Sequence, residues 1–312
     1  MERSGRFPVM FGAAMDLGAS RRGAAAGPAA LRHAGLLRAL GPGARDGGDL
    51  PRPAPLPGFS HIQPAHQPAH HLDEIAAWAR AVQARAEGIL AEGGLPVLLG
   101  GDHSLPLGSV AASARHAAAL GRPLFVLWID AHGDFNTPAT SPSGNVHGMT
   151  LAALCGEPGL GPVWGAAAPP PVDPRRVQIL GARDLDDAEA ELLAARGAGL
   201  TAMPVLRAGG VAAALLPFLA HVAAEGGLLH LSFDVDALDP ELAPGVGTPV
   251  PAGMSLAEAA TALALVRESG CLAALDIVEL NPALDRDACS AHLTVALMTE
   301  LFPPPHRARR AA

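Results

Sequence analysis

Residues 124–136, LFVLWIDAHGDFN, constrain the fold of this chain more than any other stretch. Six apolar residues with β-branched and aromatic members read as a buried strand. The run stops abruptly at Asp130, Ala131, His132, Gly133 and Asp134. Three metal-ligand side chains at i, i+2 and i+4 point to one side while the backbone stays extended. Gly133 lets the chain bend there and pass close to a bound group. A polar turn capping the next element is the plainer reading. One D-x-H-x-D does not decide between the two.

Two other strands end the same way. Residues 228–235, LLHLSFDV, carry Asp234 and then Asp236, with Asp239 and Pro240 closing the turn. The run 95–99 is followed by Gly100, Gly101, Asp102, His103 and Ser104. Carboxyl ends of strands are where sites form in open α/β sheets. Unpaired carboxylates beside apolar strands are costly, and a cation cluster removes that cost. The repetition favours metal binding.

Of 312 residues, 49% are hydrophobic, so the chain can bury a large core. Strand-like and helix-like segments alternate without an obvious linker. That favours one domain over residues 1–302, with 303–312 as an exposed, Arg-rich tail. A net charge of −8 argues against a nucleic-acid partner and for cationic ligands. Cys155, Cys271 and Cys289 are widely spaced, which fits a reducing compartment and no zinc cluster. The first ten residues, MERSGRFPVM, lack the continuous apolar core of a signal peptide. No stretch has the length of a membrane span. The expectation is a soluble cytoplasmic protein, with no membrane partner. With no tyrosine in the chain, tyrosine-based acid or base chemistry is excluded.

Taken in order, residues 6–14 read as a first strand, and Gly27-Pro28 opens a helix running to about Leu40. Residues 41–68 are rich in Pro and Gly and read as irregular; His61, His66, His70 and His71 crowd around the end of this segment at spacings that match no compact metal site. A helix covers 72–91 and another 104–120. After the central strand comes the small, polar loop 137–148, TPATSPSGNVHG, whose Ser143, Asn145 and His147 are binding candidates. Residues 176–180 read as a strand, and Asp184, Asp186, Asp187 and Glu189 as acids around a helix start. A short strand at 200–205, a helix at 211–224 and a capping box of Ser255 with Glu258 follow. A last strand spans 272–280 and a last helix 287–301. About eight strands alternating with helices predict an α/β fold with a mostly parallel sheet covered on both faces.

GGDHS at 100–104, DAHGDFN at 130–136, SFDVDALDP at 232–240 and DIVELNP at 276–282 together resemble the ureohydrolase family of arginases, agmatinases and formimidoylglutamases. SPSGNVHGM at 141–149 and GARDLD at 181–186 resemble its arginase branch. The resemblance runs from the first strand to the last helix. It implies a three-layer α/β/α fold with an eight-stranded sheet, two Mn²⁺ ions per chain, and a homo-oligomer, either trimer or hexamer. By motif, His103 and Asp134 hold the first metal, His132 and Asp236 the second, and Asp130 and Asp234 bridge both. Two imidazoles and four carboxylates without a thiolate make an oxygen-rich site, which suits Mn²⁺ over structural zinc.

Four carboxylates and two divalent ions sum to zero, and a bridging hydroxide leaves the core at −1, which favours a guanidinium. The resemblance implies hydrolysis of L-arginine to L-ornithine and urea by attack of that hydroxide on the guanidinium carbon. Asp134 would orient the nucleophile, His147 would protonate the leaving amine, Glu279 would hold the guanidinium, and Thr248 would position groups nearby. Asn136, Ser143 and Asn145 would meet the α-carboxylate and Asp186 the α-ammonium. The alternative is a hydrolase of agmatine or another guanidino or formimino compound. A non-catalytic arginine-binding metalloprotein is a third reading, but it would not need all six ligands together with His147 and Glu279.

Overall fold

A computed structural model describes residues 7–58 and 69–303. In chain order the elements are β1 (Pro8–Gly12), α1 (Gly27–His33), α2 (Leu36–Ala39), β2 (Arg45–Asp49), α3 (Leu72–Ala91), β3 (Leu95–Leu99), α4 (Pro106–Ala119), β4 (Leu124–Ile129) and α5 (Thr150–Leu154). They continue with β5 (Val177–Ala182), α6 (Asp187–Arg196), β6 (Gly199–Ala202), α7 (Met203–Gly209), α8 (Val211–Ala224), β7 (Leu228–Asp234), α9 (Leu256–Ser269), β8 (Leu272–Val278) and α10 (Cys289–Leu301). The eight strands form one sheet in the order β2-β1-β3-β8-β7-β4-β5-β6. Every pairing is parallel.

Strand β4 shows why its sequence is apolar at every position. Val126 and Trp128 face a core filled by Ile75 and Val82 of α3, Val110 of α4 and Leu151 of α5. Phe125, Leu127 and Ile129 face the opposite core, with Leu215 of α8, Leu263 of α9 and Leu297 of α10. Side chains alternate between faces, so a strand covered on both sides needs an unbroken apolar run. The result is the expected three-layer α/β/α arrangement.

The topology also builds the site. Strands β3, β8, β7 and β4 are consecutive neighbours across the middle of the sheet. Because all run parallel, their carboxyl ends open on one rim, and the three ligand-bearing motifs meet there with the Glu279 motif of β8.

Four local expectations are corrected. The segment read as irregular contains β2, RDGGD, an exposed edge strand with no apolar period to reveal it. Arg32 ties it down through Asp46 at 2.9 Å and Asp49 at 2.5 Å. The helix expected over 27–40 breaks at Gly35, whose φ of 96° belongs to the left-handed region. The strand expected to reach Val205 stops at Ala202, because Pro204 opens α7. The last helix starts at Cys289 rather than Asp287, since Asp287 and Ala288 take positive φ. Asp285 instead accepts from the amides of Ser290 and Ala291 at 2.9 and 3.0 Å. His61, His66 and residues 304–312 of the tail lie outside the described residues. Among those described, no single helix is long and apolar enough to cross a membrane.

Candidate metal centre and substrate cavity

Two glycines bring β3's exit loop under the site. A Cβ on Gly101 would lie 1.8 Å from the Met15 carbonyl oxygen, so only glycine lets the loop pass. His103 then lies flat against Trp128 of β4, with ring centroids 4.0 Å apart and planes 4° apart. Its Nε2 is 2.9 Å from the Ser232 hydroxyl. Its Nδ1 faces three carboxylate oxygens: Asp130 Oδ2 at 2.9 Å, Asp234 Oδ2 at 2.9 Å and Asp134 Oδ2 at 3.1 Å. A ring nitrogen can direct one proton or one lone pair at one partner, not three. Both Nδ1 and Asp134 Oδ2 are buried without a hydrogen bond of acceptable geometry. A cation at this convergence fits.

A second group lies alongside. His132 Nδ1 is 3.3 Å from Asp130 Oδ1 and 3.2 Å from Asp236 Oδ2. Ligand atoms of His103, Asp130 and Asp134 fall within 4.8 Å of one another, as do those of Asp130, His132 and Asp236. Asp130 belongs to both groups. Trp128 Nε1 donates to its Oδ2 and the His132 amide to its Oδ1, at 2.9 and 2.7 Å, which fixes both oxygens. Asp234 turns Oδ2 toward His103 while its Oδ1 accepts from the Asp236 amide at 2.7 Å. Arg183 donates to the carbonyl oxygens of Asp236 and Val250 at 2.7 and 2.8 Å, which pins the Asp236 turn to the loop carrying Thr248. The Thr248 hydroxyl donates to Asp236 Oδ2 at 3.0 Å.

The electrostatics favour cations. Burial, reinforced by Asp236 and Asp130, pushes the Asp234 carboxyl well above the usual range. Burial and Asp130 raise Asp134 to about 6. Four buried carboxylates against two imidazoles hold excess negative charge, which two divalent ions would neutralise. The donor set fits a binuclear metal centre.

Above these groups opens a cavity of about 150 Å³. His132, Asp134, His147 and Thr248 are among its lining; Asp184, Asp186 and Glu189 supply acids, and Asn136, Ser141 and Ser143 supply neutral donors. His147 Nδ1 lies 3.1 Å from Glu279 Oε1, and the same oxygen accepts from the His103 amide at 2.8 Å. Burial opposes charge on the His147 ring, but Glu279, with Asp134 and Asp102 behind it, wins and raises its pKa to about 9. Asp134 and Glu279 have φ of 50° and 64°, sparsely populated for residues with side chains. Strained backbone at two charged site positions is the pattern of a functional rim.

The family model for the Arginase family matches residues 8–303. The chain belongs to the arginase family. It is 41% identical to the arginase of Brucella melitensis over 296 residues, covering 94% of this chain and 95% of that one. To the arginase of Brevibacillus brevis it is 40% identical, covering 93% and 96%. The solved arginase structure from Bacillus caldovelox superposes with a TM-score of 0.86 at 34% identity, covering 96% and 99%.

Most residues singled out from the sequence meet on this rim. His103, Asp130, His132, Asp134, Asp234 and Asp236 form the cluster, and Asn136, Ser143, His147, Asp186 and Thr248 line the cavity over it. Glu279 lies beneath, fully buried and engaged with His147. Asn145 stands apart from the lining: its amide donates to the Ser20 hydroxyl at 2.7 Å. Gly133 has a different reason from the expected bend. The left-handed φ belongs to Asp134, and a Cβ on Gly133 would strike Leu185 at 2.7 Å and the Glu189 carboxylate at 2.8 Å.

Sequence reasoning passed over Ser232 and read Glu189 only as a helix-start acid. Ser232 was detectable: His230, Ser232 and Asp234 alternate along β7, so one face of an apolar strand is polar. Glu189 reads as a helix-start acid and does bond the Asp186 amide, at 3.3 Å. It also accepts from the Phe135 amide at 2.7 Å and reaches the cavity, where burial raises its pKa to about 7. Only the folded path of 133–136 reveals that second role.

Proposed function

We propose that this chain hydrolyses L-arginine to L-ornithine and urea, with two Mn²⁺ ions held by His103, Asp130, Asp134, Asp234, His132 and Asp236. The observation carrying this reading is the cavity itself: acids and neutral donors share its lining, and no arginine or lysine is among its lining residues. Such a cavity suits a ligand with two cationic ends and one carboxylate. The names of its relatives point the same way.

Metals bound there would supply Lewis acidity and a water acidified to near-neutral pH. Asp134, whose Oδ2 lacks a hydrogen bond within the protein, is placed to orient the nucleophile. Glu279 contributes a buried negative charge beneath the guanidinium. It also takes His147 Nδ1, leaving Nε2 as the ring nitrogen able to hand a proton to the leaving amine. The Glu279 carboxylate against Nδ1 favours the protonated ring, so His147 is suited to hold that proton. Asn136 and Ser143 would meet the α-carboxylate, and Asp186 the α-ammonium. Asn136 Nδ2 lies 2.9 Å from Asp186 Oδ2, so the two readers support one another. Asn145, bonded to Ser20 and off the lining, drops out of this set.

Manganese is preferred because the donors are two imidazoles and four carboxylates. The reading extends to a homo-oligomer, trimer or hexamer, in the cytoplasm. It rests on the family resemblance and on Cys155, Cys271 and Cys289 being free thiols. Residues 1–302 are taken as one catalytic domain. The test is product analysis: after chelation and reloading with Mn²⁺, L-arginine should yield urea and ornithine in equal amounts. Urea release unaffected by chelation would contradict it.

A further inference from the structure

The His-rich tract before α3 has no part in the function proposed so far, yet its described end touches the cavity loop. The His70 amide donates to the Gly144 carbonyl at 3.0 Å. The His70 Nε2 lies 3.2 Å from the Ser143 carbonyl oxygen. One residue thus holds two consecutive carbonyls at the turn where Gly144 takes a φ of 72°. Against a carbonyl oxygen only a donor fits, so Nε2 carries a proton whether the ring is neutral or charged.

The far side of Ser143 is fixed too. Its Oγ accepts from the Asn145 amide at 3.2 Å, and the Asn145 side chain is anchored on Ser20. With one lone pair of its oxygen taken by the Asn145 backbone amide, the Ser143 hydroxyl still has its proton to donate into the cavity it lines. His70 sits two residues before α3, a 20-residue helix packed into the core. It therefore connects the exposed tip of the loop to a rigid element.

We propose that His70 is a positioning residue for substrate specificity: it sets the Ser143 hydroxyl for an α-carboxylate. This rests on the function proposed above. The contact is exposed and the ring bond is a single one, so its loss reads as a modest effect on binding.

The experiment compares steady-state kinetics of Mn²⁺-loaded wild type, His70→Ala, His70→Gln, Ser143→Ala and the His70→Ala/Ser143→Ala double variant, on L-arginine and agmatine. His70→Ala should raise the KM for L-arginine roughly threefold to fivefold, the value of one modest hydrogen bond, with kcat little changed. Agmatine, which lacks the carboxylate, should be turned over as by wild type. Gln carries an N–H donor about as far from the backbone as imidazole Nε2, so His70→Gln should recover the arginine KM. In the Ser143→Ala background, His70→Ala should add almost nothing, because both act through one hydroxyl. The proposal is overturned if His70→Ala keeps the wild-type arginine KM, weakens both substrates alike, or adds its full effect to Ser143→Ala. Equal use of agmatine and arginine by the wild type would overturn the underlying reading itself, and that result appears without any variant.

Discussion

Replacing Ser232 with alanine should weaken one metal site and spare the other. His103 Nε2 and Ser232 Oγ are 2.9 Å apart in a fully buried setting. Without a cation, the ring can keep its proton on Nδ1 beside the three carboxylates. A cation at Nδ1 forces that proton to Nε2, where only the Ser232 hydroxyl accepts it among the described residues. The ring cannot swing aside, because it is stacked on Trp128. In Ser232→Ala the metal-bound state therefore carries a buried, unpaired N–H costing about 1–3 kcal/mol. That corresponds to roughly fivefold to 150-fold in affinity, in the range seen for other losses of a ligand's outer hydrogen bond. His132 makes no contact with Ser232, so the second ion should keep its affinity. Titration with Mn²⁺ in a metal buffer, followed by elemental analysis, reads both sites. Two ions bound at wild-type affinity in Ser232→Ala would refute the assignment of His103 Nδ1 as a ligand.

Asp130 belongs to both ligand groups, so Asp130→Asn should lose more metal and activity than His103→Ala, as elemental analysis would record; two ions retained would contradict its bridging role. His147→Ala should lower kcat on the order of a hundredfold while KM and metal content change much less; wild-type turnover across the pH range would mean that another group supplies the proton. In chelator, the His147 pair with Glu279 predicts a pH-dependent stability. The folded pKa is raised to about 9 from the ordinary 6.5, so the contribution is complete below pH 6.5 and lost as pH rises through 9. Urea denaturation of metal-free wild type and His147→Ala should diverge on the acid side and converge above that pH; parallel curves would argue against the pair.

The strand ends were legible because metal chemistry needs ligand side chains at close spacing, and β3, β4 and β7 each supply them directly after an apolar run. The parallel sheet was legible for a related reason: strands buried on both faces cannot alternate polar and apolar residues. What the sequence concealed depends on long-range packing. β2 is five exposed polar or glycine residues whose place comes from pairing with β1 and from Arg32, neither of which leaves a local pattern. The order that seats β8 between β3 and β7 is likewise set by crossovers, so Glu279 could be tied to the cluster only by resemblance. Gly133 illustrates the same limit at one residue. Its reason is space for Glu189, 56 positions later, not the local bend.

In the proposed function, neutral donors that meet the α-carboxylate make arginine the substrate. The direct test is the ratio of kcat/KM for L-arginine to that for agmatine, measured with Mn²⁺-loaded protein by urea release. The two compounds share the guanidinium and a terminal amine, so the proposed carboxylate readers, Asn136 and Ser143, would have to tell them apart. Donors built to meet a carboxylate are left empty and desolvated by agmatine, which predicts a preference for arginine of about a hundredfold or more. Equal kcat/KM for the two substrates would contradict the account.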